Sequence, residues 1–185
     1  MDYWTEGKTR YGRVAETFGF WTPKGQKGTI LDIGCSDGCT TRDILAYNPE
    51  SFVVGCDINP LSIERAKRIS LERYTSPEFI ITDGYSPPFE KESFDVVFAM
   101  NNICFINRAS NPDYDNTLRR IAELVKTGGL FFVSSSAQRI VLKREGAGFS
   151  LEDFRFNPKR TMLNEIIDLL VPNPPREYLD YCRCC

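Results

Sequence analysis

Asp32, the turn Gly34-Cys35-Ser36-Asp37-Gly38, Asp57 and the pair Asp83-Gly84 are the residues of this chain whose types and spacing suit chemistry. Two glycines four apart let a chain turn sharply into a helix, whose first backbone N–H groups then face a ligand. Asp57 stands nineteen residues beyond Gly38, the spacing at which a carboxylate reaches the hydroxyls of a ribose. Together these residues describe a nucleoside site. Asp32 adds a sign to it. A carboxylate two residues before the first glycine would repel a pyrophosphate, the more strongly in a partly desolvated site, and would attract a ligand carrying positive charge.

Other chemistries are excluded by what the chain lacks. It contains no histidine, which removes Ser-His-Asp and Cys-His nucleophilic catalysis, His-ligated zinc and an imidazole base. Gly34-x-Ser36-x-Gly38 spells the nucleophile elbow of hydrolases, but without a histidine, and placed after the first strand of the sheet, it fails that motif's own requirements. The seven cysteines read as reduced thiols, with Cys35, Cys39, Cys56 and Cys104 in or beside apolar stretches. Cys182, Cys184 and Cys185 fall short of a zinc ligand set, so no metal is expected. With 23 basic against 25 acidic side chains the net charge is −2, and no global positive field draws the chain to nucleic acid or anionic lipid. The basic pieces 8–13 and 139–144 are the local candidates for docking RNA or protein. Apolar runs such as 96–100 are far shorter than the roughly 20 residues of a membrane helix, and no basic-then-apolar leader opens the chain. The chain reads as soluble, unexported and cytoplasmic.

The site residues need elements to hold them. From 29 to 135 apolar runs alternate with amphipathic ones, the pattern of a parallel sheet covered on both faces. It predicts strands over 29–33, 51–56, 78–82, 94–99 and 130–133, and helices over 40–47, 61–73 and 115–126. Asn59-Pro60 supplies a side-chain cap and a first-turn proline. Leu118, Ile121, Ala122 and Val125 form one helical face, and Gly128-Gly129 is expected to stop that helix. Arg65, Lys67, Arg68 and Arg73 read as a solvated face. Residues 136–158 are mixed and polar; a helix over 161–171 and a sixth strand over 178–182 follow. The expected fold is α/β, one domain with a doubly wound, mostly parallel sheet lacking its last strand or strands. Its parts are an N-terminal lid or helical segment (1–28) holding Tyr3, Trp4, Tyr11, Phe18, Phe20 and Trp21, a cofactor-binding core (29–135) and a C-terminal part (136–185). In such sheets ligands bind beyond the carboxyl ends of the strands, and 34–38, 57–59 and 83–84 fall at three successive ends.

A nucleoside with ammonium and sulfonium charges, S-adenosylmethionine, answers both the ribose spacing and the sign at Asp32. The run Leu31-Asp32-Ile33-Gly34-Cys35-Ser36-Asp37-Gly38 resembles the first motif of the class I S-adenosylmethionine-dependent methyltransferases, and Gly55-Cys56-Asp57-Ile58-Asn59-Pro60 resembles their second. Asp83 followed by Pro88-Phe89 and Ser93-Phe94-Asp95-Val96-Val97 is similar to their third and fourth, and 118–134 to their helix, double glycine and fifth strand. The resemblance covers residues 29–135. It implies that the backbone of Gly34, Cys35, Ser36 and Gly38 holds the methionine part and Asp57 the ribose hydroxyls. It further implies that Ile58 covers an adenine face, Asp83 with Gly84 meets the adenine amino edge, and Asn101 lies near the methionine part. Ser36 stands where the family has its middle glycine, and Phe105 where some relatives have a histidine. Ser86-Pro87-Pro88-Phe89 resembles an amine-holding tetrapeptide of some methyltransferases but precedes the fourth strand, so it reads as loop punctuation.

Methyl transfer from a sulfonium is displacement on an activated donor, so positioning and water exclusion can carry it without histidine. The expected function is methyl transfer to a small-molecule acceptor, with the catalytic group unassigned. An RNA or protein methyltransferase, and a non-catalytic binding module that needs a partner, are the alternatives. An exposed sheet edge left by missing strands would suit a homodimer.

Overall fold

The structure is a computed structural model, and it describes residues 4–6, 21–23, 25–72, 77–100, 111–135, 138–155, 162–176 and 178. Two short strands, β1 (Trp4–Glu6) and β2 (Trp21–Pro23), pair antiparallel with Glu6 opposite Trp21. The rest of the expected N-terminal lid lies outside the described residues. The main chain then runs β3 (Thr29–Ile33), α1 (Cys39–Tyr47), β4 (Phe52–Asp57), α2 (Pro60–Glu72), β5 (Glu78–Ile81) and β6 (Phe94–Met100). It continues through α3 (Tyr114–Glu123), β7 (Val125–Ser135), β8 (Gln138–Glu145), β9 (Gly148–Arg155) and α4 (Met162–Leu170). The ribbon strand β2 lies against α1.

The seven strands β3 to β9 form one sheet in the order β5-β4-β3-β6-β7-β8-β9. β3 pairs parallel with both β4 and β6, so the strand order reverses at β3, the place where connections diverge and leave a crevice above the sheet. The apolar runs of these strands follow from burial on both faces. On one face Ile30, Val53, Val96, Phe98 and Phe132 pack with Ile44 of α1. On the other Leu31, Val54, Val97 and Phe131 pack with Leu118 and Ile121 of α3 and with Ile166 of α4. α2 turns Ile63 and Ala66 onto Cys35 and Phe79.

Three expectations are corrected. The sheet does not lack its last strands: β8 and β9 pair antiparallel with β7 and with each other inside the stretch expected to be irregular. β8 is buried on both faces, with Ile140 and Leu142 on one side and Val141 on the other. Opposite Val141 and Leu142 stand Asp153 and Leu151, so Glu152 is one residue extra. That bulge brings Phe149, Leu151 and Phe154 to the same core. Second, Tyr178, the one described residue of the expected sixth strand, is helical and buried and meets Phe154 edge-on at 6.0 Å; residues 179–182 lie outside the described residues. Third, α3 ends at Glu123 and β7 already begins at Val125, opposite Phe94; the ladder then skips to Leu130 opposite Val96.

The base of the sheet is held by two side chains. Asp95 accepts the Thr29 N–H at 2.8 Å and Lys126 Nζ at 2.9 Å. Burial works against its charge, but the Thr29 amide and then Lys126 outweigh it and hold the carboxyl below its usual range. Arg144 donates to the carbonyls of Glu123, Val125 and Gly146 and pairs with Glu92 at 3.1 Å, tying the β8–β9 turn to the end of α3. Both arginines of the basic piece 139–144 are thus taken up inside the protein: Arg139 is buried and Arg144 is engaged internally. The other basic piece, 8–13, lies outside the described residues. Among the described residues no helix is long and apolar enough to cross a membrane.

Candidate cofactor site

The crest of the sheet is built where β3, β4 and β5 end. β3 stops at Gly34, which takes φ +69°, and the N–H groups of Gly34 and Cys35 both donate to Cys56 O at 2.7 and 2.9 Å. Ser36 follows at φ +51° and Gly38 at φ +72°. Gly38 is required there twice over, because a Cβ would be strained by that φ and would strike the ring of Phe79, and lie 3.0 Å from Arg42 Nη1. α1 starts immediately after, and the Arg42 N–H already bonds Gly38 O at 3.0 Å.

Asp57 links the turn to the next strand end. Its Oδ2 accepts the Ser36 N–H at 2.9 Å and its Oδ1 the Asn59 N–H at 2.9 Å. Its carbonyl accepts the Thr82 N–H at 3.0 Å, which brings the end of β5 alongside. Asn59 caps α2 through Oδ1, which accepts the N–H of Leu61 at 3.0 Å. Asp83 closes the third turn by accepting the Tyr85 N–H at 2.9 Å, and Gly84 lies so near β3 that a Cβ there would be 3.0 Å from Ile33 Cγ2. Ser36, Ile58 and Asp83 are exposed, and Asp57 and Gly84 are half-buried. These five therefore form the rim, while Gly34, Cys35 and Gly38 shape the turn. Asn101 lies outside the described residues.

Asp32 is placed differently from its neighbours. It is 2% exposed and lies beneath the turn, where Thr41 Oγ1 donates to its Oδ2 at 2.6 Å. Burial lifts its carboxyl from 3.8 to about 7; the Thr41 hydroxyl pulls the value back, and the charge of Asp57 adds to the rise. The same burial, with Asp32 nearby, holds the Cys35 thiol far above its usual range. Burial also pushes Cys56 up to about 12, against the Gly34 N–H and with help from Asp32 and Asp57. Both thiols are therefore protonated and unreactive, as small hydrophobes. Among the described residues no group of His, Cys, Asp and Glu could hold a metal ion.

Sequence reasoning missed three residues that shape this crest. Thr41 reaches Asp32 from α1, Phe79 fills the space that Gly38 and Gly55 leave open, and Arg42 Nη1 holds the Asp37 carbonyl at 3.0 Å. The signal for Phe79 was a large residue on the strand beside two glycines; Thr41 had none beyond its place one turn into α1.

The rim suits a cationic nucleoside. Asp57 and Asp83 stand on it, Asp32 lies below, and Ile58, 66% exposed, offers an apolar surface beside the Asp57 carboxylate. The carboxylate oxygens of Asp57 each keep a lone pair for a hydroxyl. Residues 30–129 match the family described as "Methyltransferase domain". The chain is 33% identical over 106 residues to a demethylmenaquinone methyltransferase of Lactococcus lactis, covering 55% of this chain and 39% of that protein. To a ubiquinone biosynthesis O-methyltransferase of Chelativorans sp. it is 29% identical over 106 residues, covering 57% and 39%. The matched stretch thus spans about two fifths of either relative. A solved structure from Methanococcus maripaludis shares the fold, with a TM-score of 0.54 at 16% identity over 84% of this chain and 60% of that one. The glycine turn, the carboxylate that locks onto it and a family match over more than half the chain agree, and the chain belongs to the class I S-adenosylmethionine-dependent methyltransferases.

Proposed function

We propose that this chain transfers the methyl group of S-adenosylmethionine to a small-molecule acceptor by positioning and desolvation, without a histidine base. The observation that carries the reading is the bond from the Ser36 N–H to Asp57, which locks the glycine turn of β3 to the acidic tip of β4. When bound, S-adenosylmethionine supplies a methyl group already activated on a sulfonium. The protein's part is to hold that donor. Asp57, fixed by two backbone amides, presents its remaining lone pairs to the ribose; Ile58 offers an apolar face to the adenine, and Asp83 with Gly84 its polar edge. The turn from Gly34 to Gly38, with Cys35 and Ser36, surrounds the methionine part, and Asn101 is proposed to lie near it. Orientation of this kind can offset about 7–11 kcal/mol of barrier, which leaves little for a general base to supply.

The acceptor proposed is an acidic carbon or hydroxyl of a small molecule, nucleophilic without imidazole help. The names of the two relatives, a demethylmenaquinone methyltransferase and an O-methyltransferase of ubiquinone biosynthesis, support that class. Nucleic acid is not the proposed acceptor, since Arg139 and Arg144 are used inside the protein. Isothermal titration with S-adenosylmethionine and S-adenosylhomocysteine tests the donor half. Micromolar binding of both, lost in Asp57→Ala, is expected; folded protein that gives no heat with either overturns the reading. Transfer of labelled methyl to a panel of quinols, phenols and amines tests the acceptor half.

A further inference from the structure

Thr41 makes an unusual choice of partner. A threonine inside a helix can return its hydroxyl to the carbonyl four residues back. Here that carbonyl belongs to Asp37 and accepts Arg42 Nη1 at 3.0 Å, while the fully buried Thr41 donates to Asp32 at 2.6 Å. Gly55 makes the room: a Cβ there would lie 2.9 Å from Thr41 Oγ1 and 3.0 Å from Cys35 Sγ. The groups that face Asp32 are Thr41 on α1, Asp57 at the tip of β4, Cys35 in the turn and Cys56 on β4. Its ladder neighbour on β6 is the apolar Phe98. Among the described residues nothing cationic acts on this carboxyl, so it is a buried acid whose one polar partner is a hydroxyl.

We propose that Thr41 is a positioning residue that governs the proton on Asp32, and that a cationic ligand arriving over the turn expels this proton, so that cofactor binding releases a proton to solvent. The inference rests on reading the crest as the S-adenosylmethionine site. The proton leaves the Asp32 carboxyl for the buffer, because Cys35 and Cys56 already hold theirs. The ligand's positive charge replaces it as the counter-charge of the carboxylate. A carboxyl that titrates at about 7 when free, and well below when a cation sits nearby, couples affinity to pH across the neutral range. Binding then strengthens roughly tenfold from pH 6 to pH 7.5.

The test is isothermal titration of S-adenosylmethionine between pH 5.5 and 7.5, in buffers of different ionisation enthalpy, which counts the protons exchanged. Wild type is expected to release a proton near pH 6.5. Thr41→Val, which removes the hydroxyl that favours the charged form, is expected to move the rise in affinity up by about one pH unit. Thr41→Ser restores the wild-type profile, and Asp32→Asn shows only the ligand's own titration. Circular dichroism confirms that each variant is folded; if Thr41→Val is not, the proton count for wild type against Asp32→Asn decides alone. Binding with no proton exchanged, or identical profiles for wild type and Thr41→Val, overturns the inference and leaves the site assignment standing. Failure of wild type to bind at all overturns the site assignment instead.

Discussion

Asp32→Asn should make the protein more stable at neutral pH while impairing the site. The folded protein holds the Asp32 proton up to about pH 7, whereas the unfolded chain releases it near 3.8. Between those values the folded state binds the extra proton, so stability is greatest below 3.8 and is lost as pH rises through 7. Moving a fully buried carboxyl from 3.8 to about 7 carries up to about 4 kcal/mol against its charged form. Asn keeps an oxygen for the Thr41 hydroxyl and has no charge to bury. Asp95 and Asp113, whose carboxyls are held below the usual range, act with the opposite sign and only below this window. The chain has no histidine, so no imidazole clouds the interval from pH 5 to 8. Urea unfolding followed by far-ultraviolet circular dichroism from pH 4.5 to 8 measures it. Wild type should lose a few kcal/mol across the range. Asp32→Asn should be nearly flat, crossing wild type to become the more stable protein above pH 7. A flat wild-type curve, or two parallel ones, would refute the argument.

Two further substitutions probe the crest and the base. Gly38→Ala puts a Cβ at φ +72° into the ring of Phe79, which should cost about 2–4 kcal/mol in urea unfolding and abolish the heat of S-adenosylhomocysteine binding in the fraction that folds. Arg144→Met removes a donor from the carbonyls of Val125 and Glu123, the latter keeping the Glu92 N–H, and leaves the Glu92 carboxylate without its ion pair; about 2–4 kcal/mol should be lost, with cofactor affinity in the folded protein unchanged.

The first five strands of the sheet were legible because their apolar runs, buried on two faces in all but the edge strand β5, are punctuated by glycine, proline and aspartate. The predicted bounds of β3 and β6 differ from the observed ones by no more than a residue. β8 and β9 were not, for a physical reason. Ile140, Val141 and Leu142 are consecutive because β8 is covered on both sides, while Arg139 and Arg144, which look like solvent residues, are buried or engaged. On β9 the extra Glu152 shifts the alternation in mid-strand, so Phe149, Leu151 and Phe154 share one side without sharing one period. At the site, the spacing of glycines and carboxylates marked Gly34, Gly38, Asp57 and Asp83 because backbone turns and strand tips impose it. The depth of Asp32 and its bond to Thr41 were invisible, because burial and partners arise from packing between α1 and β3 that no local pattern encodes.

The run of β7, β8 and β9 in chain order bears on how the molecule assembles. Each of these strands meets its neighbour across a two-residue connection, whereas β3 must wait for β6, roughly sixty residues further along. Closing short loops costs the least entropy, so the C-terminal meander can nucleate by itself, and the parallel half is then recruited onto β7 as a template. The ligand crest joins the ends of β3, β4 and β5, whose paired residues stand 23 or 24 apart, so its closure costs more entropy than the meander's, and a bound nucleoside is expected to act on that step of folding and not on the meander.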